Sequence, residues 1–356
     1  MDESRTAGRL LVVGIPGPNL DGPTERALAE VGPAGVVLFA RNLKSVSQAR
    51  DLIAGVRETA SATPFLALDQ EGGPVNRLAA IQPVLGRLPA AREQARWAPE
   101  RLEDVWRHVG EVLAALGFDV DFAPVVDLDD GAGANAIGPR SFGLDPARVT
   151  EAAGRVLAGL RLAGVAGCLK HFPGLGRTAF DTHLAACQSP LGREELEREH
   201  IEPYRRLAGD AALVMTAHAA YPSIEGPDAP PATFSREILQ SWLRERIGFD
   251  GLVISDDLEM GAVATATPGE RARRTFDAGS DLAMFCHDLE APRRARDDLV
   301  RLLRRGELPG DRVLASQRRL SVLLGTFVGG RTGGADCDSR LRIAVEALDE
   351  QLPREL

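Results

Sequence analysis

Gly164-Val165-Ala166-Gly167-Cys168-Leu169 runs without a break into Lys170-His171-Phe172-Pro173-Gly174-Leu175-Gly176-Arg177-Thr178-Ala179-Phe180-Asp181-Thr182-His183. Six apolar residues in a row read as a strand buried on both faces, as in a parallel sheet. The strand ends in charged residues and opens into a glycine-bearing loop, the way α/β enzymes build active sites at strand C-termini. Within the loop, Asp181 stands two residues before His183. A carboxylate near an imidazole raises its pKa and can orient the ring, which suits a proton donor near neutrality. A loop histidine beside a surface aspartate is the plainer alternative, and the spacing alone does not separate the two.

The same pattern recurs on both sides of this stretch. Leu10–Ile15, Gly35–Ala40, Phe65–Leu68, Phe118–Val126, Ala212–Met215, Leu252–Ile254 and Leu282–Phe285 are further strand candidates. Between them lie helical segments: Thr24–Val31, Ser45–Thr59 with a serine cap, the amphipathic Pro99–Leu116, Ala147–Leu162, Glu194–Leu207, Ser235–Ile247 and Pro268–Ala278. Pro292–Arg305 and Arg312–Leu324 close the series. Eight strands alternating with helices predict an α/β fold, a (β/α)8 TIM-type barrel, in a single domain. We place that domain at residues 1–328 and expect a polar C-terminal tail at 329–356, with a short helix from Ser339 to Gln351. Several strands end in polar residues: Arg41, Asp69, Asp127, Lys170-His171, His218 and Asp256. A barrel turns all these ends to one face, so residues distant in sequence share one pocket. Carboxylates, a lysine and arginines gathered there suit a polyhydroxylated ligand held by charge-assisted hydrogen bonds.

Composition narrows the function. The 356 residues are 44% hydrophobic and 26% charged, ordinary for a globular protein. A formal net charge of −9 argues against nucleic-acid binding, which needs concentrated positive charge. Cysteines at 168, 187, 286 and 337 form no CxxC pair. Cys168 and Cys286 read as buried thiols in a reducing compartment. The acidic start MDESRTAG and the short apolar run after it read as a first strand rather than a signal peptide. No stretch approaches the length of a membrane span. The expectation is a cytoplasmic monomer with no membrane association.

Four segments in order carry a resemblance: Asp69-Gln70-Glu71-Gly72-Gly73-Pro74-Val75-Asn76-Arg77-Leu78, Ile137-Gly138-Pro139-Arg140-Ser141-Phe142-Gly143, the Lys170–His183 stretch, and Gly251-Leu252-Val253-Ile254-Ser255-Asp256-Asp257-Leu258. With them the chain, over roughly residues 10 to 325, resembles glycoside hydrolase family 3, in particular its single-domain β-N-acetylhexosaminidase branch. The resemblance implies that Asp256 is the nucleophile of a retaining reaction, and that His183 paired with Asp181 is the acid/base. Most retaining glycosidases use two carboxylates instead. It implies further that Asp69, Arg77, Arg140, Lys170 and His171 grip the terminal sugar. Asp127 is expected to fix loops, Asp257 to support the nucleophile or cap a helix, and His218 and Met215 to be core.

The implied activity is removal of terminal β-linked N-acetylglucosamine from cell-wall muropeptide fragments, with no metal or organic cofactor. Two alternatives stand beside it: a phosphorylase on the same site, because a neutral imidazole base repels an anionic acceptor less than a carboxylate would, and a non-catalytic sugar-binding barrel. The sequence departs from the branch at two positions. Leu175 stands where Pro-Gly-His-Gly has its histidine, and Pro74 where arginine is usual.

Overall fold

The computed structural model describes residues 2–129, 137–176, 178, 187–328 and 335–354. Eight strands form a closed, all-parallel barrel: β1 (Leu11–Gly14), β2 (Gly35–Val37), β3 (Phe65–Leu68), β4 (Val120–Asp121), β5 (Ala166–Phe172), β6 (Leu213–Thr216), β7 (Leu252–Asp257) and β8 (Leu282–Phe285). Each pairs with its sequence neighbours, and β1 closes on β8 with Leu11 opposite Ala283. The predicted barrel is therefore present.

The strands are apolar on both faces because both faces are buried. Phe65 and Ala67 belong to the cluster inside the barrel, whereas Leu66 and Leu68 belong to the layer between barrel and helices. The two-residue period sets this alternation. It carries Ala166 and Cys168, and Leu252 and Ile254, along the inner face, before irregularities in register at the polar ends of both strands. Met215 lies inside the barrel, as expected.

The surrounding helices start where their caps stand. Asp21 accepts the Thr24 N–H at 2.9 Å, Ser45 the Gln48 N–H at 3.1 Å and Thr267 the Glu270 N–H at 3.3 Å, each satisfying an otherwise orphaned donor. Helix Gly22–Val31 ends on Gly32, whose φ of 58° is left-handed backbone that glycine adopts without penalty. Helix Gly310–Phe327 crosses the lower mouth and contributes Leu320 and Leu323 to the interior cluster, so the barrel is a packed core rather than a pore.

Several elements differ from the expected boundaries: β2 ends at Val37, β5 and β7 run on to Phe172 and Asp257, and three more differ as follows. The fourth strand candidate keeps ladder pairing only at Val120–Asp121, with one isolated bridge between Val125 and Lys170. Pro124 has no N–H to donate, so the ladder stops before it. The Glu194–Leu207 helix is three short turns, Arg193–Glu195, Leu196–His200 and Glu202–Leu207. Pro203 removes a backbone donor near the last break. The C-terminal helix begins earlier than Ser339 and spans Ala335–Gln351. It packs against helix Pro99–Leu116, buries Leu341, Ala344 and Leu348, and receives Arg101 at the Gln351 carbonyl at 2.6 Å. Among the described residues, no helix is long and apolar enough to cross a membrane.

Candidate active site

The C-terminal end of β3 delivers Asp69, and the next residues form a small antiparallel hairpin, Gln70–Gly72 against Val75–Asn76. Gln70 locks it: its side-chain amide donates to Asn76 Oδ1 at 2.9 Å and its oxygen accepts the Leu78 N–H at 3.2 Å. The hairpin holds Asp69, Glu71 and Arg77 in one place. From β5, Lys170 Nζ donates to Asp69 Oδ1 at 2.8 Å and lies 2.6 Å from Glu71 Oε1. Arg140, from the segment after β4, forks onto Glu71 with Nε and Nη2 each at 2.8 Å. Arg77 Nη2 stands 3.6 Å from Asp69 Oδ2. Arg140, Glu71, Lys170, Asp69 and Arg77 thus form one row of alternating charge.

Burial would push the Glu71 carboxyl up, but Arg140 and Lys170 outweigh it and hold Glu71 well below the usual carboxylate range. Burial likewise opposes the Lys170 charge, and Asp69 with Glu71 reverses that, so the ammonium is held charged. The Lys170 side chain is 1% exposed. Beneath this row Asp121 accepts the Gln70 N–H at 2.9 Å, while its second oxygen has no hydrogen-bond partner. Burial raises its pKa well above the ordinary value.

His171 is tied to Asp127. Its backbone N–H donates to that carboxylate at 3.1 Å and its Nδ1 at 2.7 Å, and the Leu175 N–H donates at 2.6 Å. A carboxylate can only accept, so the ring carries its proton on Nδ1 and turns Nε2 away from Asp127. Asp127 is fully buried and fixes the base of the loop, as expected. Tyr221 adds a hydrogen bond from its hydroxyl to the Gly174 carbonyl at 2.8 Å. Gly176 lies so close to Leu128 that a Cβ there would fall 1.8 Å from the Leu128 carbonyl oxygen. Only glycine fits that approach.

On the other side of the mouth, β7 ends in Asp256-Asp257. Asp256 is partly exposed and its Oδ1 accepts the Asp257 N–H at 2.7 Å. Asp257 is anchored through Oδ1, which accepts from Glu259 N and Cys286 N at 3.0 and 3.2 Å. Its carbonyl accepts from His218 Nε2 at 2.9 Å. His218 is buried with Nδ1 against Thr233 Oγ1 at 2.8 Å, a satisfied core histidine. β7 is the strand four places round the barrel from β3, so Asp256 stands across the mouth from Asp69, with Lys170 on β5 midway between them.

The structure brings together Asp69, Arg77, Arg140 and Lys170 around Glu71, ties His171 instead to Asp127, and puts Asp256 across the mouth from Asp69. Asp181 and His183 lie outside the described residues. Glu71, two residues after Asp69 in the quoted motif, is not among the residues expected to grip the sugar, yet it lies at the centre of the row. A buried acid between two cation-bearing segments has no local sequence signature. Among the described residues, no group of three His, Cys, Asp or Glu side chains is placed to hold a metal ion.

A parallel barrel with acidic and basic side chains gathered at the C-terminal ends of its strands has the architecture of a TIM-barrel enzyme. The profile of the glycosyl hydrolase family 3 N terminal domain matches residues 7–323. A Beta-hexosaminidase of Pseudomonas aeruginosa is 39% identical over 278 residues, covering 77% of this chain and 80% of that protein. The structure of a glycoside hydrolase family 3 β-N-acetylglucosaminidase from Paenibacillus sp. str. FPU-7 superposes with a TM-score of 0.87 at 29% identity, covering 99% of this chain and 69% of that one. A β-N-acetylhexosaminidase from Beutenbergia cavernae superposes with a TM-score of 0.84 at 29% identity, over 91% of this chain and 99% of the other. The chain belongs to glycosyl hydrolase family 3 and is a glycoside hydrolase.

Proposed function

We propose that the enzyme is a retaining β-N-acetylhexosaminidase that removes terminal β-linked N-acetylglucosamine from cell-wall muropeptide fragments. The observation that carries the reading is the row Arg140–Glu71–Lys170–Asp69–Arg77 at the same barrel mouth as Asp256, with Asp69 on the strand opposite it. The row offers cationic donors and a carboxylate acceptor to a ring of hydroxyls, and Asp256 offers an anionic oxygen to the anomeric carbon. The hexosaminidase and N-acetylglucosaminidase names of the relatives support the acetamido sugar. Four free cysteines, three of them buried, support a reducing cytoplasm as the place of action.

In the first step an Asp256 oxygen bonds to the anomeric carbon as the bond to the leaving oxygen breaks, and His183 gives that oxygen its proton. In the second, His183 takes a proton from water, whose oxygen replaces Asp256 at the same carbon. Asp181 orients the His183 ring and stabilises its charged form. Asp69 accepts from sugar hydroxyls; Arg77, Arg140 and Lys170 donate to hydroxyls or the acetamido oxygen; His171 offers Nε2. Arg77 supports this role with a buried Nε that has no protein partner.

The test is hydrolysis of an aryl β-N-acetylglucosaminide against an aryl β-glucoside, with and without inorganic phosphate. Preference for the acetamido sugar with free sugar as product is expected. A sugar-phosphate product would make the enzyme a phosphorylase. Turnover of neither by a folded protein would leave a sugar-binding barrel.

A further inference from the structure

We propose that Glu71 is a positioning residue: it fixes the directions in which Lys170 and Arg140 present their remaining N–H groups, so the donor set is aimed before the sugar arrives. This rests on the reading above, in which Lys170 and Arg140 contact the sugar.

The argument is geometric. An ammonium carries three N–H bonds at tetrahedral angles and turns freely about its last C–N bond. Asp69 takes one of the Lys170 hydrogens at 2.8 Å, and Glu71 Oε1 stands 2.6 Å from the ammonium as its second ion-pair partner. Held between the two carboxylates, the ammonium has a fixed position. A guanidinium is a planar fork, and Glu71 holds one edge of the Arg140 fork with two bonds of 2.8 Å. That sets the plane and the outward edge of the fork together. One carboxylate therefore orients both cations. Glu71 itself is 5% exposed, and both of its oxygens are occupied. It is engaged with its neighbours rather than with a ligand, unlike Asp69, which keeps 17% exposure.

The carboxylate is held in turn by the hairpin. The Glu71 carbonyl accepts from the Gln94 side-chain amide at 3.1 Å, and the Trp106 indole donates to the oxygen of that amide at 2.8 Å. Gln94 is fully buried. The chain from Trp106 through Gln94 to Glu71 links helix Pro99–Leu116 to the cations. Donors fixed in advance avoid the reorganisation a free lysine would undergo on binding.

The experiment compares wild type with Glu71→Gln, Glu71→Asp, Lys170→Met, Arg140→Gln, the Arg140→Gln/Lys170→Met double variant, and that double variant with Glu71→Gln added. The readouts are kcat/KM on an aryl β-N-acetylglucosaminide and the melting temperature. Glu71→Gln is expected to lower kcat/KM about ten- to a hundredfold, the scale of losing hydrogen bonds between charged groups. Glu71→Asp keeps the charge but is one methylene shorter, so it should lose activity while melting close to wild type. It decides the matter alone if the glutamine variant does not fold. In the double variant, adding Glu71→Gln should cost no further activity and should raise the melting temperature, because it removes a buried carboxylate left without partners.

Full activity in both Glu71 variants, with Lys170→Met and Arg140→Gln impaired, would overturn the proposal. So would a Glu71→Gln loss that multiplies undiminished in the double background, since that describes a scaffold effect independent of the two cations. Undiminished activity in Lys170→Met and Arg140→Gln would instead sink the sugar-grip reading itself.

Discussion

The backbone N–H of Asp257 donates to Oδ1 of Asp256 at 2.7 Å. One carboxylate oxygen of Asp256 is thereby oriented by a residue that is itself held at its carbonyl and its side chain by His218, Glu259 and Cys286. The proposed nucleophile is thus positioned by main chain, which needs no side-chain ordering when substrate binds. Asp256→Ala should therefore abolish turnover, by on the order of 10⁴-fold or more, the scale seen when a covalent nucleophile is removed. Circular dichroism and melting temperature should stay near wild type, because Asp256 is partly exposed. Retained activity would strip Asp256 of its role.

His183 is tested through the leaving group. A general acid contributes roughly 10²–10⁴-fold where the departing oxygen needs a proton. An activated aryl group needs little. His183→Ala should lose most of its rate on natural glycosides and far less on a nitrophenyl glycoside. Equal losses on both would argue against proton donation by this residue.

Much of the site was legible because apolar runs ended in polar residues. Phe65–Leu68 ended at Asp69, and the run before Lys170-His171 led into the loop; once the barrel was inferred, their meeting followed. What remained hidden depends on pairing in space. Glu71 becomes the centre of the charged row only when the segment after β4 brings Arg140 beside β5. Asp281, directly before β8, carries no local sequence signal. In the fold it accepts from the Val253 N–H at 2.9 Å, Arg244 at 2.5 Å, Ser316 at 2.8 Å and Arg319 at 3.1 Å. The early end of the β4 ladder was legible in principle from Pro124, but the apolar run around it masked the stop.

Asp281 belongs to the opposite end of the barrel from the proposed sugar site, where side chains serve stability rather than chemistry. Replacing it with alanine would strand the Arg244 guanidinium, whose side chain is 9% exposed. Asp281→Ala should destabilise the protein by about 3–5 kcal/mol, the range for breaking a buried ion pair from one side. Denaturant unfolding would measure this, and KM measured well below the melting temperature should not change. A changed KM with unchanged stability would contradict the division between the two ends.

Asp257 gives a pH signature. Burial, with Glu259 and Asp256 nearby, pushes its carboxyl up to about 6. A carboxyl raised on folding binds its proton more tightly in the native state. Its contribution to stability is complete below the unfolded value near 4 and is lost as pH rises through about 6. Asp257→Asn keeps an oxygen to accept from Glu259 and Cys286 but cannot ionise. Relative to this variant, wild type should lose melting temperature between pH 4 and pH 6 and then level off. A constant difference across that window would show that the carboxyl is not raised.

Leu175 occupies the position where the branch has histidine, and restoring that histidine tests what the departure means. The Leu175 side chain is 5% exposed and packs in the apolar layer around the barrel, while its N–H is bound to Asp127. Directly after it, Gly176 presses against the Leu128 carbonyl, so this part of the loop has little room to shift. An imidazole in the same rotamer would be buried among hydrocarbon. Burying a polar group without a partner costs about 1–3 kcal/mol in proteins. Leu175→His should therefore lower the melting temperature, and the loss should deepen below pH 6, where the unfolded histidine gains a proton that the buried one resists. Turnover of an aryl β-N-acetylglucosaminide should not rise. A gain in kcat with unchanged stability would mean that the side chain swings out of the apolar layer to reach substrate. Leu175 would then be a lost catalytic contact rather than a residue built into this loop's own packing.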